Sequence, residues 1–319
     1  MKKLSKQAFE EIRLWVYRNA RQVELSLWQY EFENGSKDAL LSALSCYQND
    51  DGGFGNALEP DCHNPNSSPY TTKYAIEILR NVNFDDASHP IMQGIIKFLE
   101  SGKHLAEYGW LFNIPSNDEY PCAPWWAYDP KVNEVAHITV TAEMVCFLLR
   151  FVESGSMLYK QAFAFAEKLI SEFENVGKKK AGLAGYYKGY YNLINTVRQM
   201  DLASKLDISY LVSNIKERAD EVIERDVAKW GEFNLKPSSL IPSPDSPLYL
   251  GNEDIVEKEL DYLLDTRPDK GTWGIAWQWW GHYEKYPKEF AVSENWWKSF
   301  IAVEKLKFLQ KFDMLDFSL

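Results

Sequence analysis

The chain has 319 residues, of which 45% are hydrophobic, 15% aromatic and 25% charged, proportions that exclude an intrinsically disordered protein. Its 35 basic and 46 acidic side chains give a net charge of −11. This balance argues against nucleic acid as a partner, because such affinity depends on clustered Lys and Arg.

The N-terminal segment, MKKLSKQAFEEIRLW, turns amphipathic and charged early, so it lacks the apolar core of a signal peptide. The most apolar stretch, 135–152, is interrupted by His137, Glu143 and Arg150, and no membrane span is predicted. We therefore expect a cytoplasmic protein. Cysteines without CxxC spacing predict reduced, mostly buried thiols rather than disulfides or a zinc site. They are Cys46, Cys62, Cys122 and Cys146.

Helical periodicity dominates the whole chain. Apolar residues recur at i, i+3 and i+4, so that each segment presents one apolar stripe, and no alternating run predicts a strand. In chain order the stripes cover 9–27, 39–47, 74–79, 91–99, 138–151, 162–173, 193–206, 211–223, 255–264 and 300–308. Loops rich in Gly, Pro, Asn and Asp are predicted at 49–69, 113–130, 178–189, 236–252 and 267–274. The sequence therefore predicts an all-α protein.

Two segments repeat at a constant offset of 219 positions. Residues 41–55 read LSALSCYQNDDGGFG and residues 260–274 read LDYLLDTRPDKGTWG. Two leucines, one Asp and two glycines coincide, and an aromatic residue stands at the same place in both. This pattern predicts a helix, then a tight turn in which glycine supplies a positive φ, then an aromatic side chain that packs back under the turn.

The first copy, Gln48 to Gly55, resembles the glutamine-aromatic (QW) repeat of terpenoid cyclases, squalene-hopene cyclases and protein prenyltransferase β-subunits. The second copy has Arg267 where that superfamily has Gln. The resemblance implies an α/α toroid in which the motif has a structural role. At roughly 50 residues per helical hairpin, the chain would form about six hairpins that close into a ring. We therefore predict one toroid domain over residues 1–319.

The acidic motifs of that superfamily have no good counterpart here. The chain contains no DxDD string, and the segments 85–89 and 253–257 do not fit DDxxD. Residues 61–63, Asp-Cys-His, superficially resemble the zinc ligands of protein prenyltransferases but have the wrong spacing. Neighbouring side chains in an extended segment diverge, so Cys62 and His63 could not readily share one metal, although Asp61 and His63 could. We expect neither a metal nor another cofactor.

Aromatic residues cluster in loops framed by Pro and Gly, where binding sites concentrate. They either fill the space between hairpins or line a cavity, and aromatic faces suit isoprenoids, carbocations and sugar rings. The candidate ligand-binding residues are Trp110, Trp125, Trp126, His137, Trp273, Trp277, Trp279 and Trp280.

The first repeat loop also carries acids that could act in such a cavity. A general acid needs a carboxyl group whose pKa is raised by an apolar setting, and a glycosidase needs a second carboxylate across the cavity. The candidate catalytic residues are Asp50, Asp51, Glu59 and Asp61. The loop-borne options for a second carboxylate are Asp129, Glu134, Asp245 and Glu253. Each acid has an alternative interpretation as a cap or turn residue.

The resemblance implies a terpenoid-cyclase- or prenyltransferase-like protein that binds or transforms an isoprenoid or another apolar small molecule in an aromatic-lined cavity. Two alternatives stay open. The first is a carbohydrate-active enzyme, a glycoside hydrolase or lyase, because α/α barrels of that kind also place aromatic platforms and carboxylates around one mouth. The second is a non-catalytic binding or scaffold protein. The sequence does not decide whether the protein is an enzyme, nor its oligomeric state.

Overall fold

The computed structural model describes residues 2–175 and 184–318. Helix makes up 60% of the structure and strand 4%, against roughly one-third helix in an average domain. The predicted all-α class is confirmed.

The α-helices of the described residues are Lys6–Asn19 (α1), Gln22–Phe32 (α2), Lys37–Ser45 (α3), Pro69–Asn81 (α4), Pro90–Glu100 (α5), Pro130–Phe151 (α6), Met157–Asn175 (α7), Ala184–Gln199 (α8), Ser209–Asp220 (α9), Glu253–Thr266 (α10), Trp280–Lys285 (α11) and Pro287–Lys311 (α12). Short 3₁₀ helices cover Pro115–Glu119, Pro124–Trp126, Val227–Lys229 and Pro237–Ser239. A small antiparallel pair joins Leu105–Ala106 (β1) to Gly109–Trp110 (β2), with Leu105 opposite Trp110.

Polar caps set where several helices begin. The Ser5 hydroxyl accepts a hydrogen bond from the backbone of α1, and Ser68 does the same for α4. Asp129 caps α6. In α4 and α6 a proline follows the cap at the first helical position, where its missing N–H removes no helical bond.

The structure differs from the predicted elements in three main places. The stripe 193–206 continues past the end of α8 at Gln199, and residues 200–206 form turns in which Asp201 has φ +52°. The stripe 9–27 is divided between α1 and α2, because Ala20 and Arg21 are extended and no Gly or Pro marks the break. Residues 178–183 of the predicted loop 178–189 lie outside the described residues. Residues 184–189 belong to helix α8 instead of a loop.

The glycines that made 178–189 look like a loop allow close packing of α8 on α6. A Cβ on Gly185 would lie 2.4 Å from Thr139 Cγ2, and one on Gly189 would lie 2.8 Å from the Ala142 Cβ. Real Cβ atoms do not approach so closely, so glycine permits this contact at the expense of helix propensity.

The described chain forms two compact units. Unit 1 comprises Met1–Cys46 and Val222–Leu319, and unit 2 comprises Tyr47–Glu221. In unit 1, α12 contacts α1, α2 and α11, and α2 contacts α3. In unit 2, α6 contacts α4, α7 and α8, and α9 contacts α7 and α8.

Helix α6 forms the core of unit 2. Its residues from Ala136 to Leu149 are buried without interruption. Among the helices described, it is the one long and apolar enough to cross a membrane, and 83% of that apolar window is buried inside the fold. Helix α6 is thus enclosed by protein along most of its length.

The two repeated segments adopt similar local conformations. Helices α3 and α10 are followed by turns in which Gly52 has φ +89° and Gly271 has φ +91°. The aromatic residues of the two copies are fully buried, with Phe54 at 0% and Trp273 at 2% exposure. Since a side chain is strained at such φ values, glycine is required at the same point of both turns.

Candidate functional site

The first repeat turn is tied to helix α5. The Gln48 side-chain amide donates to the carbonyl oxygens of Gly52 at 2.9 Å and Ile91 at 3.0 Å. A Cβ on Gly52 would lie 2.0 Å from the carbonyl oxygen of Gly94, so the turn reaches α5 only through glycine. The glutamine of the motif therefore has a structural role in this turn.

Two of the four candidate acids support the same turn. Asp51 accepts a hydrogen bond from the Ser67 hydroxyl at 2.5 Å and pairs with Lys103 Nζ at 3.0 Å. Burial opposes the charge of Asp51, but these donors outweigh it and lower its pKa. Asp50 is exposed, and its carbonyl oxygen accepts a hydrogen bond from Lys97 Nζ at 2.8 Å. A catalytic role for either residue stays a prediction.

The other two candidate acids are buried in the segment 57–64, which we call the acidic loop. Glu59 is 3% exposed and Asp61 is 2% exposed. Burial raises the pKa of the Tyr70 hydroxyl to about 12; Lys73 opposes this shift, and the carboxylates of Glu59 and Asp61 add to it. Both acids therefore lie near this tyrosine.

The segment 120–128, which we call the aromatic loop, lies beside the acidic loop. The backbone N–H of Ala123 donates to the carbonyl oxygen of Asp61 at 2.8 Å. Trp125 of this loop is half-buried and Trp126 is 4% exposed. The structure thus brings two predicted acids and two predicted tryptophans together in unit 2.

Tyr70, Phe112 and Trp126 form a cluster that we call the aromatic triad. The ring centroids of Tyr70 and Trp126 are 4.3 Å apart, those of Tyr70 and Phe112 5.0 Å, and those of Phe112 and Trp126 5.0 Å. Lys73 Nζ lies 5.0 Å from the Tyr70 centroid. The buried indole N–H of Trp126 has no hydrogen-bond partner among the described residues.

A line of ionisable groups, which we call the ionic row, continues from the aromatic triad. Lys73, Glu77 and Arg80 share one face of α4, because residues three and four apart are neighbours on a helix. Lys73 Nζ lies 2.7 Å from Glu77 Oε2, and Arg80 contacts Glu143 of α6. Asn192 of α8 donates to Glu143 Oε2 at 3.0 Å. Three helices of unit 2 thus contribute to the row.

The members of the ionic row differ in their exposure to solvent. The side chains of Lys73 and Glu143 are 6% and 2% exposed, whereas those of Glu77 and Arg80 are 19% and 30% exposed. Desolvation is the largest influence on the pKa of each of these four groups.

The two carboxylates of the row have pKa values shifted in opposite directions. Burial raises the pKa of Glu143 despite the neighbouring Arg80. Burial also disfavours the charge of Glu77, but Lys73 and Arg80 together outweigh it and lower the Glu77 pKa. Pairs of acids with divergent pKa values are typical of acid–base sites, although structural ion-pair networks produce them too.

Sequence reasoning missed the ionic row. The predicted stripe 74–79 registered only the apolar positions of α4, and Glu143 was noted as an interruption of an apolar stretch. The interruption of the apolar stretch at Glu143 is the sequence signal that would have identified the ionic row. An acid in the middle of a wholly buried helix needs a buried cationic or hydrogen-bonding partner.

His137 lies on a different part of α6 from the row. Its Nδ1 is 3.5 Å from the Thr141 hydroxyl, and its Nε2 is 3.8 Å from Glu172 Oε2. Burial and the neighbouring Lys168 lower the pKa of His137 to about 4, so the ring is neutral at pH 7. A neutral imidazole is able to accept or donate a proton, and its predicted role in ligand binding stays a prediction.

The remaining predicted tryptophans differ in their surroundings. In unit 2, Trp110 is fully buried and its ring centroid lies 5.4 Å from that of Phe165. In unit 1, Trp279 is fully buried, whereas Trp280 is 60% exposed. The Trp277 ring packs against Trp297 at 5.3 Å. Full burial of Trp110 and Trp279 fits a packing role.

Trp273 of unit 1 packs beside an unusual lysine. Lys305 Nζ lies 5.2 Å from the Trp273 ring centroid. Burial and the neighbouring Lys236 lower the Lys305 pKa to about 8, against an opposing effect of Glu259. The Glu259 carboxylate accepts two hydrogen bonds from Ser238, each of 2.6 Å.

Replacement of Lys305 by Met should stabilise the protein at pH 7. The folded-state pKa of about 8 lies below the reference value of 10.5, so the unfolded chain holds this proton more tightly. The folded state is therefore penalised below pH 8, and the penalty fades as pH rises towards 10.5. We expect Lys305→Met to add about 1 to 2 kcal/mol to the free energy of unfolding at pH 7 and less at pH 10.

Urea unfolding at both pH values measures this effect. Lys311→Met is the control, because Lys311 is exposed near the end of the same helix and should leave stability unchanged at either pH. A Lys305→Met protein less stable than wild type at pH 7 would contradict the prediction.

Among residues 2–175 and 184–318, no group of three or more His, Cys, Asp or Glu side chains is placed to hold a metal ion. Comparison of the chain with protein-family models, with curated proteins and with solved structures finds no match. The chemistry of the residues in unit 2 is therefore the basis for the function proposed below.

Proposed function

We propose that the aromatic triad and the ionic row line a recess in unit 2, that this recess binds a carbohydrate, and that the protein is a carbohydrate-active enzyme, a glycoside hydrolase or lyase. The observation that carries this proposal is the aromatic triad placed directly beside the ionic row. Ligand sites combine apolar and aromatic walls with a few polar groups that fix orientation. A sugar ring meets both requirements, since one face stacks on an aromatic ring while its hydroxyls bond to charged and polar side chains.

The ionic row argues against an isoprenoid in this recess. A wall for hydrocarbon should carry few acids, because an unpaired buried carboxylate costs several kcal/mol. Here two acids alternate with two bases, and their formal charges cancel. The nearby acidic loop adds Glu59 and Asp61, so the region carries no excess of positive charge for a diphosphate. A neutral polar ligand fits these charges best.

Glu59 and Asp61 are the acids that we propose to act on the ligand. Hydrolysis of a glycosidic bond needs one carboxylic acid to protonate the leaving oxygen and one ionised carboxylate as base or nucleophile. In this proposal the acidic loop supplies the acid and Glu77, whose pKa is lowered, supplies the ionised group. Glu143 is held by Arg80 and Asn192, which suits a positioning role.

The repeat supports a second proposal, which concerns fold and ancestry. The matching turns, with Gly52 and Gly271 at the same φ and a buried aromatic after each, support a QW-repeat α/α toroid of about six hairpins over residues 1–319. The hydrogen bonds of Gln48 add to this support. On this relation an isoprenoid remains the second candidate ligand, and a cytoplasmic location remains our expectation.

Tryptophan fluorescence titration with a panel of oligosaccharides and with farnesyl diphosphate tests the proposed ligand class. We expect saturable quenching by one or more oligosaccharides, because Trp126 belongs to the aromatic triad. Trp126→Phe should remove most of the signal while preserving an aromatic ring. Trp280→Phe is the matched control and should leave the ligand-dependent signal unchanged, since Trp280 is 60% exposed in unit 1.

Activity on the sugar that binds separates an enzyme from a binding protein. Glu59→Gln and Asp61→Asn should lower the rate of glycosidic bond cleavage by about 100-fold or more while leaving ligand quenching in place. Quenching by farnesyl diphosphate alone would favour the isoprenoid. If no ligand quenches the fluorescence, the result would favour a non-catalytic scaffold protein.

A further inference from the structure

Cys62 of the acidic loop and Cys122 of the aromatic loop face each other across an antiparallel bridge. The residue after Cys62 donates its N–H to the residue before Cys122 at 2.9 Å, and the residue after Cys122 donates to the residue before Cys62 at 2.8 Å. The hydrogen bonds thus flank the two cysteines, which form a non-hydrogen-bonded pair. In such a pair the two side chains lie on the same face and are closest to each other.

This register meets the geometric requirement for a disulfide. Opposed Cα atoms in a non-hydrogen-bonded pair are about 4.5 Å apart, within the range of about 4.4 to 6.8 Å that disulfides span. Both thiols also approach the same residue. Cys62 Sγ lies 3.5 Å from Asn117 Oδ1, and Cys122 Sγ lies 3.6 Å from the Asn117 carbonyl oxygen. The register and the shared contact with Asn117 therefore place the two thiols on the same side of the bridge.

Cys46 and Cys146 differ from this pair in their surroundings and serve as its controls. Cys46 is exposed, and its Sγ lies 3.5 Å from the Ser42 carbonyl oxygen. Cys146 is buried in α6, where burial and the nearby Glu143 raise its pKa to about 12. Burial also raises the pKa of Cys62 well above its usual range, so exchange at the buried pair proceeds through local opening of the bridge.

We propose that Cys62 and Cys122 are a dithiol site that glutathione disulfide oxidises to an intramolecular disulfide. One cysteine thiolate attacks a sulfur of glutathione disulfide, which forms a mixed disulfide and releases one glutathione thiolate. The second cysteine thiolate then attacks the protein sulfur of the mixed disulfide and releases the second glutathione. The pair loses two electrons, glutathione disulfide gains them, and the two cysteine protons end on the two released thiolates.

The disulfide locks the acidic loop to the aromatic loop. It lies between the segment that carries Glu59 and Asp61 and the segment that carries Trp125 and Trp126. Oxidation thus fixes the spacing between the proposed acids and the aromatic platform. The bridge register and the shared contact with Asn117 do not depend on which ligand the recess binds.

Incubation of the full-length protein in glutathione buffers at pH 8, approached from both the reduced and the oxidised side, tests the site. As the proportion of glutathione disulfide rises, two of the four thiols should disappear on titration in guanidinium. Mass spectrometry should find the peptide of Cys62 linked to that of Cys122, and dithiothreitol should restore both thiols. The cross-link closes a long loop and should raise Tm by about 5 to 10 °C.

Variants assign the cross-link. Cys62→Ser and Cys122→Ser should each abolish the intramolecular disulfide, whereas Cys46→Ser should form it as wild type does. If a serine variant fails to fold, the peptide map of the wild-type protein decides. Retention of all four thiols in glutathione disulfide alone, or a cross-link that involves Cys46 or Cys146, would overturn the proposal. A disulfide that lowers Tm would overturn the locking of the two loops.

Discussion

Replacement of Glu143 by Ala should lower the free energy of unfolding by about 3 kcal/mol. The Glu143 side chain is 2% exposed and contacts Arg80, whose own charge is strongly desolvated. Removal of the carboxylate leaves that cation without its partner on α6 and takes away the acceptor of Asn192. The uncompensated groups, rather than a lost attraction alone, account for the size of the effect.

Urea unfolding followed by circular dichroism measures this change. Glu174→Ala is the matched control, since Glu174 is exposed on α7 and its loss should change stability by less than about 0.5 kcal/mol. The double variant Arg80→Met with Glu143→Leu should recover much of the loss, because an apolar pair of similar volume removes both charges of the Arg80–Glu143 pair. A Glu143→Ala protein within 1 kcal/mol of wild type would show that the pair is solvated rather than buried.

Replacement of Phe54 by Ala should cost about 3 to 5 kcal/mol, the range for deletion of a fully buried aromatic side chain. Phe54 is 0% exposed, and its backbone N–H donates to the Thr72 hydroxyl at 3.0 Å. The cavity left under the turn should destabilise unit 2 without a selective effect on ligand binding, because the residue belongs to the repeat turn and not to the recess.

The control for this prediction is Phe233→Ala. Phe233 is 67% exposed, so the same chemical change should alter stability by less than about 0.5 kcal/mol. Thermal and urea unfolding report the loss, and fluorescence titration reports binding. A stable Phe54→Ala protein that no longer binds its ligand would instead assign the turn to the binding site.

Local patterns in the sequence predict much of this fold, because a helix is recognisable from spacing within a few turns. The stripe at 74–79 lies inside α4, and 255–264 lies inside α10. The glycine of each repeat turn is also predictable, since only a positive φ explains its position between helix and aromatic. The ends of the helices are harder to predict from the sequence. The break at Ala20 carries no Gly or Pro, so the sequence does not mark its position.

Only part of the candidate site could be predicted from the sequence, for the same reason. Glu59 and Asp61 were identifiable because they lie in the repeat loop that the resemblance singled out. Arg80 and Glu143 are 63 residues apart, so their pairing depends on how α4 and α6 pack. The helical periodicity identifies the apolar face of a helix. It does not show which distant helix will pack against the polar residues on the opposite face.

The all-round burial of α6 constrains how this protein can diverge. Glu143 is part of the ionic row, yet it lies in a helix whose residues from 136 to 149 are all buried, so most changes to that wall of the recess also weaken the fold. The aromatic loop is less constrained, because within it only Cys122, Ala123 and Trp126 are buried. Related chains should therefore vary their ligand preference through the aromatic loop and keep the wall formed by α4 and α6.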